Sequence, residues 1–326
     1  MDKDSEGRAF KDKEGGLKNL IISSSPHVFK STSLSSIMWG VVVALIPLVI
    51  ASVVFFKLLA VWLIATCLFS CAITEIVCQK IRKKPVTISD GSAVITALLL
   101  ALVLPPSIPL WQASLGSVVA IGLSKQLFGG LGFNIFNPAL LGRAFLMAAF
   151  PAFLTRWTNP FTLDAVTGAT PLGLMKFEHI QAPYLDLFLG NVAGSLGEAS
   201  VLAILIGGAY LFIKRYADWR APLGFLSTAV FLSGIMYLVD PSASATPLFQ
   251  LLSGGMMLGA VFMSTDPVTS PVTKRGRWIF GIGCGVLAII IRRWSGLPEG
   301  VMYSILLMNS ITPLLNKYTR PRRFGT

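Results

Sequence analysis

The chain has 326 residues, of which 54% are hydrophobic and 13% are charged. Soluble domains carry roughly 25% charged residues, so this composition excludes an ordinary soluble protein and predicts an all-α integral membrane protein. The net charge of +12 does not indicate a nucleic-acid partner, because the basic residues lie in short segments between apolar runs, as membrane topology requires.

The chain begins with a polar and charged segment over residues 1–35, which lacks the apolar stretch of a cleaved secretory signal. Ten apolar segments follow that we predict to be membrane helices, several of them short for a bilayer. They cover residues 36–56, 58–78, 91–104, 111–127, 138–154, 198–213, 221–239, 249–264, 278–291 and 301–315.

The distribution of basic residues predicts the orientation of these helices. Most of the 27 Lys and Arg residues fall on one side of the membrane when the chain is threaded through the ten segments. By the positive-inside rule that side is the cytoplasm. Both termini, including the tail 316–326, are therefore expected in the cytoplasm of a bacterial cell, and the loop 155–197 outside the inner membrane. Lys125 and Arg143 are interpreted as orientation signals at inner helix ends.

Five segments precede the loop 155–197 and five follow it, which divides the membrane domain into residues 36–154 and 198–315. An odd number of spans in each half predicts two halves that are inverted relative to each other, as in many transporters. In both halves a short apolar run follows a glycine and ends at a proline. It follows Gly91 and ends at Pro105 in the first half, and it follows Gly254 and ends at Pro267 in the second. Such broken helices predict a membrane-embedded site.

Four carboxylates lie in or beside these segments, and we take them as candidates for an ion pathway: Glu75, Asp90, Asp266 and Glu299. A charged side chain at the bilayer centre costs about 2.5–3.5 kcal/mol on the most lenient scale, so it is expected to face the protein interior or water. Structural roles remain as alternatives. Glu75 could sit at the membrane interface, and Asp90 and Asp266 could cap helix ends.

No catalytic or metal-binding motif is found in the chain. The two histidines, His27 and His179, have no partners at metal-ligand spacing. The four cysteines lie inside predicted spans and are interpreted as small apolar residues: Cys67, Cys71, Cys78 and Cys284. This leaves open a cluster shared with another subunit.

One polar segment in the outer loop, DAVTGATPL from Asp164 to Leu172, contains two threonines and a carboxylate. A Thr-Pro pair is typical of a helix N-cap followed by the first helical position, so Thr170 and Pro171 predict a helix start. A phosphoryl group on Thr170 would lie at the same helix N-terminus, where free N–H groups bind anions. The residues alone do not decide between these readings.

The segment from Asp164 to Thr170 resembles the flavinylation sequence D-x-x-S/T-G-A-T, in which the last threonine carries FMN through a phosphoester. Further segments, among them DGSAVITALLLALVLPP, GGLGFNIFNPALLGR, TDPVTSP and GLPEGVMYSILLMN, resemble one family over nearly the whole chain. This family contains the D subunit of the Rnf electron-transport complex and the B subunit of the Na+-translocating NADH:quinone oxidoreductase. The short N-terminal tail is more similar to the Rnf protein.

The resemblance implies a flavoprotein subunit of a complex that transfers electrons between ferredoxin and NAD+ and moves Na+ or H+ across the membrane. It implies covalent FMN on Thr170, with Asp164, Thr167, Gly168 and Ala169 as the recognition sequence of an exported flavin transferase. It also allows a noncovalent riboflavin, other Rnf subunits and membrane lipid as partners, and a fold like that of urea and ammonium channels. The alternatives are the quinone-reductase subunit, a flavin-free solute channel or transporter, and a scaffold for partner subunits.

Overall fold

The computed structural model describes residues 33–160, 165–166, 170–198, 200–241, 244–296 and 299–320. Within these ranges the chain is mostly helical, with one small pair of strands. The predicted tail 1–35 and the end of the chain from residue 321 lie almost entirely outside the described residues.

The first helix, α1 (Leu34–Ile81), is interrupted at Lys57, whose backbone has φ 50 and ψ −130. Trp39, before the interruption, donates a hydrogen bond to the carbonyl of Ser89, and Gln79, after it, donates one to Thr87. An unbroken helix would separate Trp39 from Gln79 by about 60 Å. Because both bind the same short segment, the chain reverses at Lys57, which is the boundary predicted between the first two spans.

The rest of the first half consists of short helices: α2 (Ser92–Val103), α3 (Leu110–Ile121) with a π-helical turn over Gly122–Gln126, α4 (Pro138–Ala149) and α5 (Pro151–Leu154). A 3-10 turn over Ile88–Asp90 and a left-handed Gly91, with φ 80, precede α2. Asn137 caps α4, because its side-chain oxygen accepts hydrogen bonds from two backbone N–H groups of the first turn.

The segment between the halves has its own small structure. Strand β1 (Trp157–Thr158) pairs antiparallel with β2 (Ala165–Val166), Trp157 opposite Val166. Two short helices follow, α6 (Pro171–Glu178) and α7 (Tyr184–Leu189).

The second half contains α8 (Val201–Ile213), α9 (Arg220–Val239), α10 (Pro247–Leu252), α11 (Met256–Leu258) with a π-helical turn over Gly259–Met263, α12 (Lys274–Trp294) and α13 (Val301–Tyr318). The predicted span 249–264 is therefore broken, and Gly254 at the break has φ 63. The breaks at Gly91 and Gly254 are the two positions at which the sequence predicted interrupted helices.

Two described helices, Leu34–Ile81 and Arg220–Val239, are long and apolar enough to cross a bilayer by length and composition. Three further apolar helices of 12 or 13 residues, namely α2, α4 and α8, are shorter than the roughly 20 residues that a full span needs. Large apolar side chains such as Trp62 and Phe69 are exposed on α1, as expected for a surface that meets lipid.

Glycines allow the helices to pack with close backbone contact. A Cβ on Gly281 of α12 would lie 2.2 Å from the backbone oxygen of Ala221 in α9, and a Cβ on Gly207 of α8 would lie 2.2 Å from that of Ala44 in α1. Such contacts between small residues are typical of membrane helices, which gain little from the hydrophobic effect when they associate in lipid.

Candidate functional site

Thr170 lies at the N-cap of α6, as the Thr-Pro pair predicted. Its Oγ1 accepts a hydrogen bond of 3.2 Å from the N–H of Gly173, and Pro171 occupies the first helical position. The residue is 3% exposed. The other residues of the predicted recognition sequence, Asp164, Thr167, Gly168 and Ala169, lie outside the described residues.

The chemistry of this helix start fits a phosphoester. An ester oxygen at Oγ1 remains a hydrogen-bond acceptor, and the N-terminus of α6 would favour the negative charge of a phosphate. Thr170 is nearly buried, so attachment of FMN requires the residues that cover its hydroxyl to move. Thr170, Leu172 and Gly173 would therefore hold the phosphate end of FMN.

Helix α6 is held firmly against the second half. Leu172 and Met175 are buried in a small apolar cluster with residues of α7 and α10. Lys176 donates hydrogen bonds to the carbonyls of Arg292 and Ser295 at the end of α12, at 2.7 and 2.5 Å. Burial, followed by the charge of Arg293, lowers the pKa of Lys176. Thr170 therefore lies at the start of a helix that packs against the second half through several contacts.

The first half contains a buried polar network around Glu75, which we call the Glu75 cluster. Glu75 is fully buried, and its Oε1 accepts hydrogen bonds from Lys125 at 2.7 Å, Gln126 at 3.0 Å and Gln79 at 3.2 Å. Lys125 also donates to Ser92 Oγ at 2.6 Å. Glu75 Oε2 has no hydrogen-bond partner among the described residues. A salt bridge therefore holds Glu75 in the protein interior.

Asp90 belongs to the same network. Its Oδ1 accepts hydrogen bonds from the N–H and the hydroxyl of Ser92, at 2.8 and 2.6 Å. The N-cap of α2 is Gly91, and Asp90 binds the first residue of the helix from the position before it. Because the Ser92 hydroxyl also contacts Lys125, the interaction of Asp90 with Ser92 and the Glu75 salt bridge are continuous.

A second buried network joins the two halves, and we call it the Arg143 cluster. Arg143 of α4 donates a hydrogen bond of 2.5 Å to Glu299 and lies 3.8 Å from Glu198 Oε1. Arg292 of α12 donates to the side chain and carbonyl of Gln250 and to the carbonyl of Ser253. Arg143, Glu198 and Arg292 are all at least nine-tenths buried.

The two networks have a similar arrangement. In each half, a basic side chain near the end of one helix binds a residue at the start of a short helix that comes earlier in the sequence. Lys125, after α3, contacts Ser92 at the start of α2. Arg292, in α12, contacts Ser253, just before α11. This correspondence supports a structural repeat between the halves.

Lys125 and Arg143, which we interpreted as orientation signals at inner helix ends, lie in the protein interior. Both are buried, at 2% and 5% exposure, and both are paired with carboxylates. Hydropathy indicates where along a predicted membrane helix a charged residue lies, but it does not reveal an ion-pair partner that is distant in the sequence.

The structure gives Asp266 a local role. Its two carboxylate oxygens accept hydrogen bonds from the N–H of Val268 and the hydroxyl of Thr269, at 3.2 and 2.9 Å. Asp266 therefore binds the turn after the second broken helix, and the predicted capping of a helix end is not seen among the described residues. The described hydrogen bonds and salt bridges of Asp266 do not connect it to either buried cluster.

Neither Glu198 nor Arg292 was among the residues predicted for the site. Glu198 lies beside Gly197, just before α8, and a Cβ on Gly255 would be 3.0 Å from Glu198 Oε1. Glycines next to an isolated acidic residue in an apolar segment were the available signal.

A third polar group lies in the loop between α8 and α9, outside the membrane-spanning helices. Asp218 accepts hydrogen bonds from the side chains of Arg220 at 2.7 Å and Arg277 at 2.5 Å. Burial by itself raises the pKa of this carboxyl, but hydrogen bonds from Arg220 and Arg277 outweigh it, so the pKa of Asp218 is lowered overall. The group fixes the loop to the start of α12.

Among the described residues, no three His, Cys, Asp or Glu side chains come together as a metal site. Cys67, Cys71 and Cys284 are buried free thiols. The structure thus gives no geometry for a metal centre within the described part of this chain.

The sequence of the chain is similar to those of a known protein family. Residues 21–325 match the model of the NQR2, RnfD, RnfE family. The chain is 46% identical over 311 residues to the D subunit of the Na(+)-translocating ferredoxin:NAD(+) oxidoreductase complex of Acetobacterium woodii, covering 94% of this chain and 96% of the relative. It is 44% identical over 322 residues to the D subunit of the proton-translocating ferredoxin:NAD(+) oxidoreductase complex of Clostridium ljungdahlii, covering 95% and 97%. It is also 40% identical to the D subunit of the ion-translocating oxidoreductase complex of Stutzerimonas stutzeri, covering 90% and 93%.

Proposed function

The chain belongs to the NQR2, RnfD, RnfE family, and from this premise we propose that it is the D subunit of an ion-translocating ferredoxin:NAD+ oxidoreductase complex. Relatives that match over nearly their whole length are named as this component. The chain is a membrane protein and acts as part of an enzyme complex. Its partners in this proposal are the other subunits of the Rnf complex and membrane lipid.

The observation that carries a redox role is the position of Thr170. It stands at the end of a sequence that resembles a flavinylation motif, and its hydroxyl caps the first turn of α6. We propose that an exported flavin transferase attaches FMN to this hydroxyl through a phosphoester. When bound, FMN supplies the electron-transfer chemistry, while the protein positions it. A second, noncovalent riboflavin belongs to the same proposal, without assigned ligands.

The residues around Thr170 are suited to hold such a group in one place. The N-terminus of α6 favours a negative phosphate through its N–H groups and the helix dipole. Leu172 lies against Gly254, since its Cδ2 is 3.5 Å from the place of a Cβ on that glycine. Gly254 stands at the second helix break, so the proposed anchor adjoins the membrane-embedded part of the chain.

For ion movement we propose a path bordered by Glu75, Asp90, Asp266 and Glu299. Buried carboxylates in broken membrane helices are typical of ion routes. Glu75 and Glu299 lie in separate buried networks, each beside a helix break. This supports a path in which the ion passes two polar sites, one in each half. The transported ion is Na+ or H+, and the relatives' names include both.

The proposed architecture has ten spans in two inverted halves, like urea and ammonium channels, with both termini in the cytoplasm. Thr170 then faces the outside of the bacterial inner membrane. Two observations support this two-half architecture: one set of helices lies on each side of α6 and α7 in the sequence, and the two sets have corresponding breaks at Gly91 and Gly254.

Flavin fluorescence on a denaturing gel tests the redox role. The chain purified from its native complex should carry fluorescence that survives denaturation, Thr170→Ser should retain it, and Thr170→Val should lose it. A fluorescent Thr170→Val band would place the flavin elsewhere. If no variant is fluorescent, including the unaltered chain, a flavin-free channel, transporter or scaffold becomes the better description.

A further inference from the structure

The Arg143 cluster contains a carboxylate whose surroundings do not account for its charge. Glu198 is 7% exposed, and its one described ion pair is the 3.8 Å contact with Arg143, which is too long for a hydrogen bond. Ser195 acts on this carboxylate, but its Oε1 has no hydrogen-bond partner among the described residues. Burying an ionised carboxylate with an unsatisfied oxygen costs several kcal/mol, so the group has to be protonated or hydrated.

Other polar atoms at this place are also unsatisfied. Arg143 Nε, Arg292 Nε, Glu299 Oε1 and Ser253 Oγ are buried without a hydrogen-bond partner among the described residues. Donors and acceptors are both represented. Buried waters typically bind such sets of atoms, with about three hydrogen bonds to each water. The unsatisfied atoms therefore point to a small internal water cluster beside Glu198.

A cleft beside α6 shares Arg292 with the Arg143 cluster. The cleft has a volume of about 60 Å³, and both Gln250 and Arg292 line it. One water needs roughly 10–15 Å³, so the cleft accommodates several. Arg292 thus lines the cleft and also donates a hydrogen bond from Nη2 to the carbonyl of Ser253 at the helix break.

The composition of the cluster suits a proton better than a sodium ion. Arg143 and Arg292 both act electrostatically on Glu198, and Glu299 adds a second carboxylate. The two guanidinium groups oppose the binding of any cation, whereas burial and the carboxylate of Glu299 favour the neutral acid. A hard metal cation would also need several oxygen ligands, while a proton needs only one oxygen of Glu198.

We propose that Glu198 is a proton-binding group of the ion pathway, reached by water from the cleft beside α6 and held by Arg143, Arg292 and Glu299. The carboxylate takes one proton from water to form a carboxylic acid and returns it to water on release; no electron moves in this step. This inference rests on the proposed ion-translocating function, but it names a residue and an ion that the proposed function leaves open.

Infrared difference spectroscopy of the purified complex during a pH titration tests this proposal. A carboxylic acid C=O band that shifts in D2O is expected at pH values where exposed carboxylates are already ionised. Glu198→Gln should remove it. Glu198→Asp should move it without removing it, because the carboxyl group is kept. Glu178→Gln, at the exposed end of α6, is the matched control and should leave the band unchanged.

Three results would overturn the proposal. The first is an unaltered complex with no such band, and the second is a band that persists unchanged in Glu198→Gln. The third is a band that Na+ abolishes at constant pH, since this would make the site a sodium site. If Glu198→Gln does not assemble, the shift of the band in Glu198→Asp decides the assignment. The titration needs no flavin signal, so missing flavin fluorescence would refute the redox role without affecting this result.

Discussion

Arg143 and Glu299 are 156 positions apart in the chain, yet Arg143 Nη2 donates a hydrogen bond of 2.5 Å to Glu299 Oε2. Arg143 belongs to α4 in the first half, and Glu299 lies just before α13 in the second. The pair therefore joins the two halves through a buried ionic contact.

Removing one member of this pair should destabilise the chain strongly. Arg143→Met leaves Glu299 and Glu198 without their cation, and breaking a buried pair in this way costs about 3–5 kcal/mol. The double variant Arg143→Met with Glu299→Gln should recover part of that loss, because no unpaired charge remains at Glu299. Thermal unfolding of the purified chain in lipid nanodiscs measures both. Additive effects of the two substitutions would argue against direct coupling.

Glu75 should be needed for ion movement as well as for stability. Glu75→Gln leaves Lys125 buried without its carboxylate and should reduce electron-driven ion uptake about tenfold or more, the effect of roughly 1.4 kcal/mol on the barrier. Glu75→Gln combined with Lys125→Met removes both charges and should restore thermal stability, but uptake should stay low. Uptake that returns with stability would mean that the Glu75 cluster is structural.

The loop that carries Asp218 should lose stability in acid. Since hydrogen bonds from two arginines lower the folded pKa of Asp218, its contribution is fully present above the unfolded pKa of about 3.9 and is lost as the pH falls through the folded pKa. Asp218→Asn should lower stability at neutral pH by about 1 kcal/mol or less and flatten this dependence. Melting curves at several pH values measure it. Asp186→Asn, at a residue with no described ion pair, is the control, and an equal effect there would contradict the assignment.

The contact between α9 and α12 should tolerate no side chain at Gly281. A Cβ there would be 2.2 Å from the Ala221 carbonyl oxygen, so Gly281→Ala must push the helices apart. We expect a loss of about 1–3 kcal/mol, as for other overpacked sites. Gly234→Ala, also in a helix, places its Cβ 3.7 Å from Pro247 and should be neutral or slightly stabilising. Equal melting temperatures for both variants would refute the close packing.

Much of the helical framework follows from the sequence because its signals are local. The Thr-Pro pair at Thr170 predicted an N-cap, which is confirmed. Asp90, for which a capping role was one alternative, binds the first residue of α2. Gly91 and Gly254 marked the broken helices, since only a residue without a Cβ adopts such left-handed backbone easily.

The candidate site was less predictable because its contacts are long-range. No local pattern connects Arg143 with Glu299, or Arg292 with Ser253, 39 positions away. Hydropathy placed Lys125 and Arg143 at helix ends, whereas their burial depends on which carboxylates the fold brings to them. Glu198 belongs to no motif, and its neighbouring glycines do not reveal that one of its oxygens lacks a hydrogen-bond partner among the described residues.

The intact mass of the chain, measured after purification from its native complex, tests the central claim most directly. We expect the mass of the polypeptide plus FMN less one water in the unaltered protein and in Thr170→Ser. Thr170→Asn keeps an N-cap acceptor but has no hydroxyl, so it should fold and show the polypeptide mass alone. A native chain with no added mass, or a flavin mass that persists in Thr170→Asn, would contradict the assignment of Thr170 as the flavin anchor.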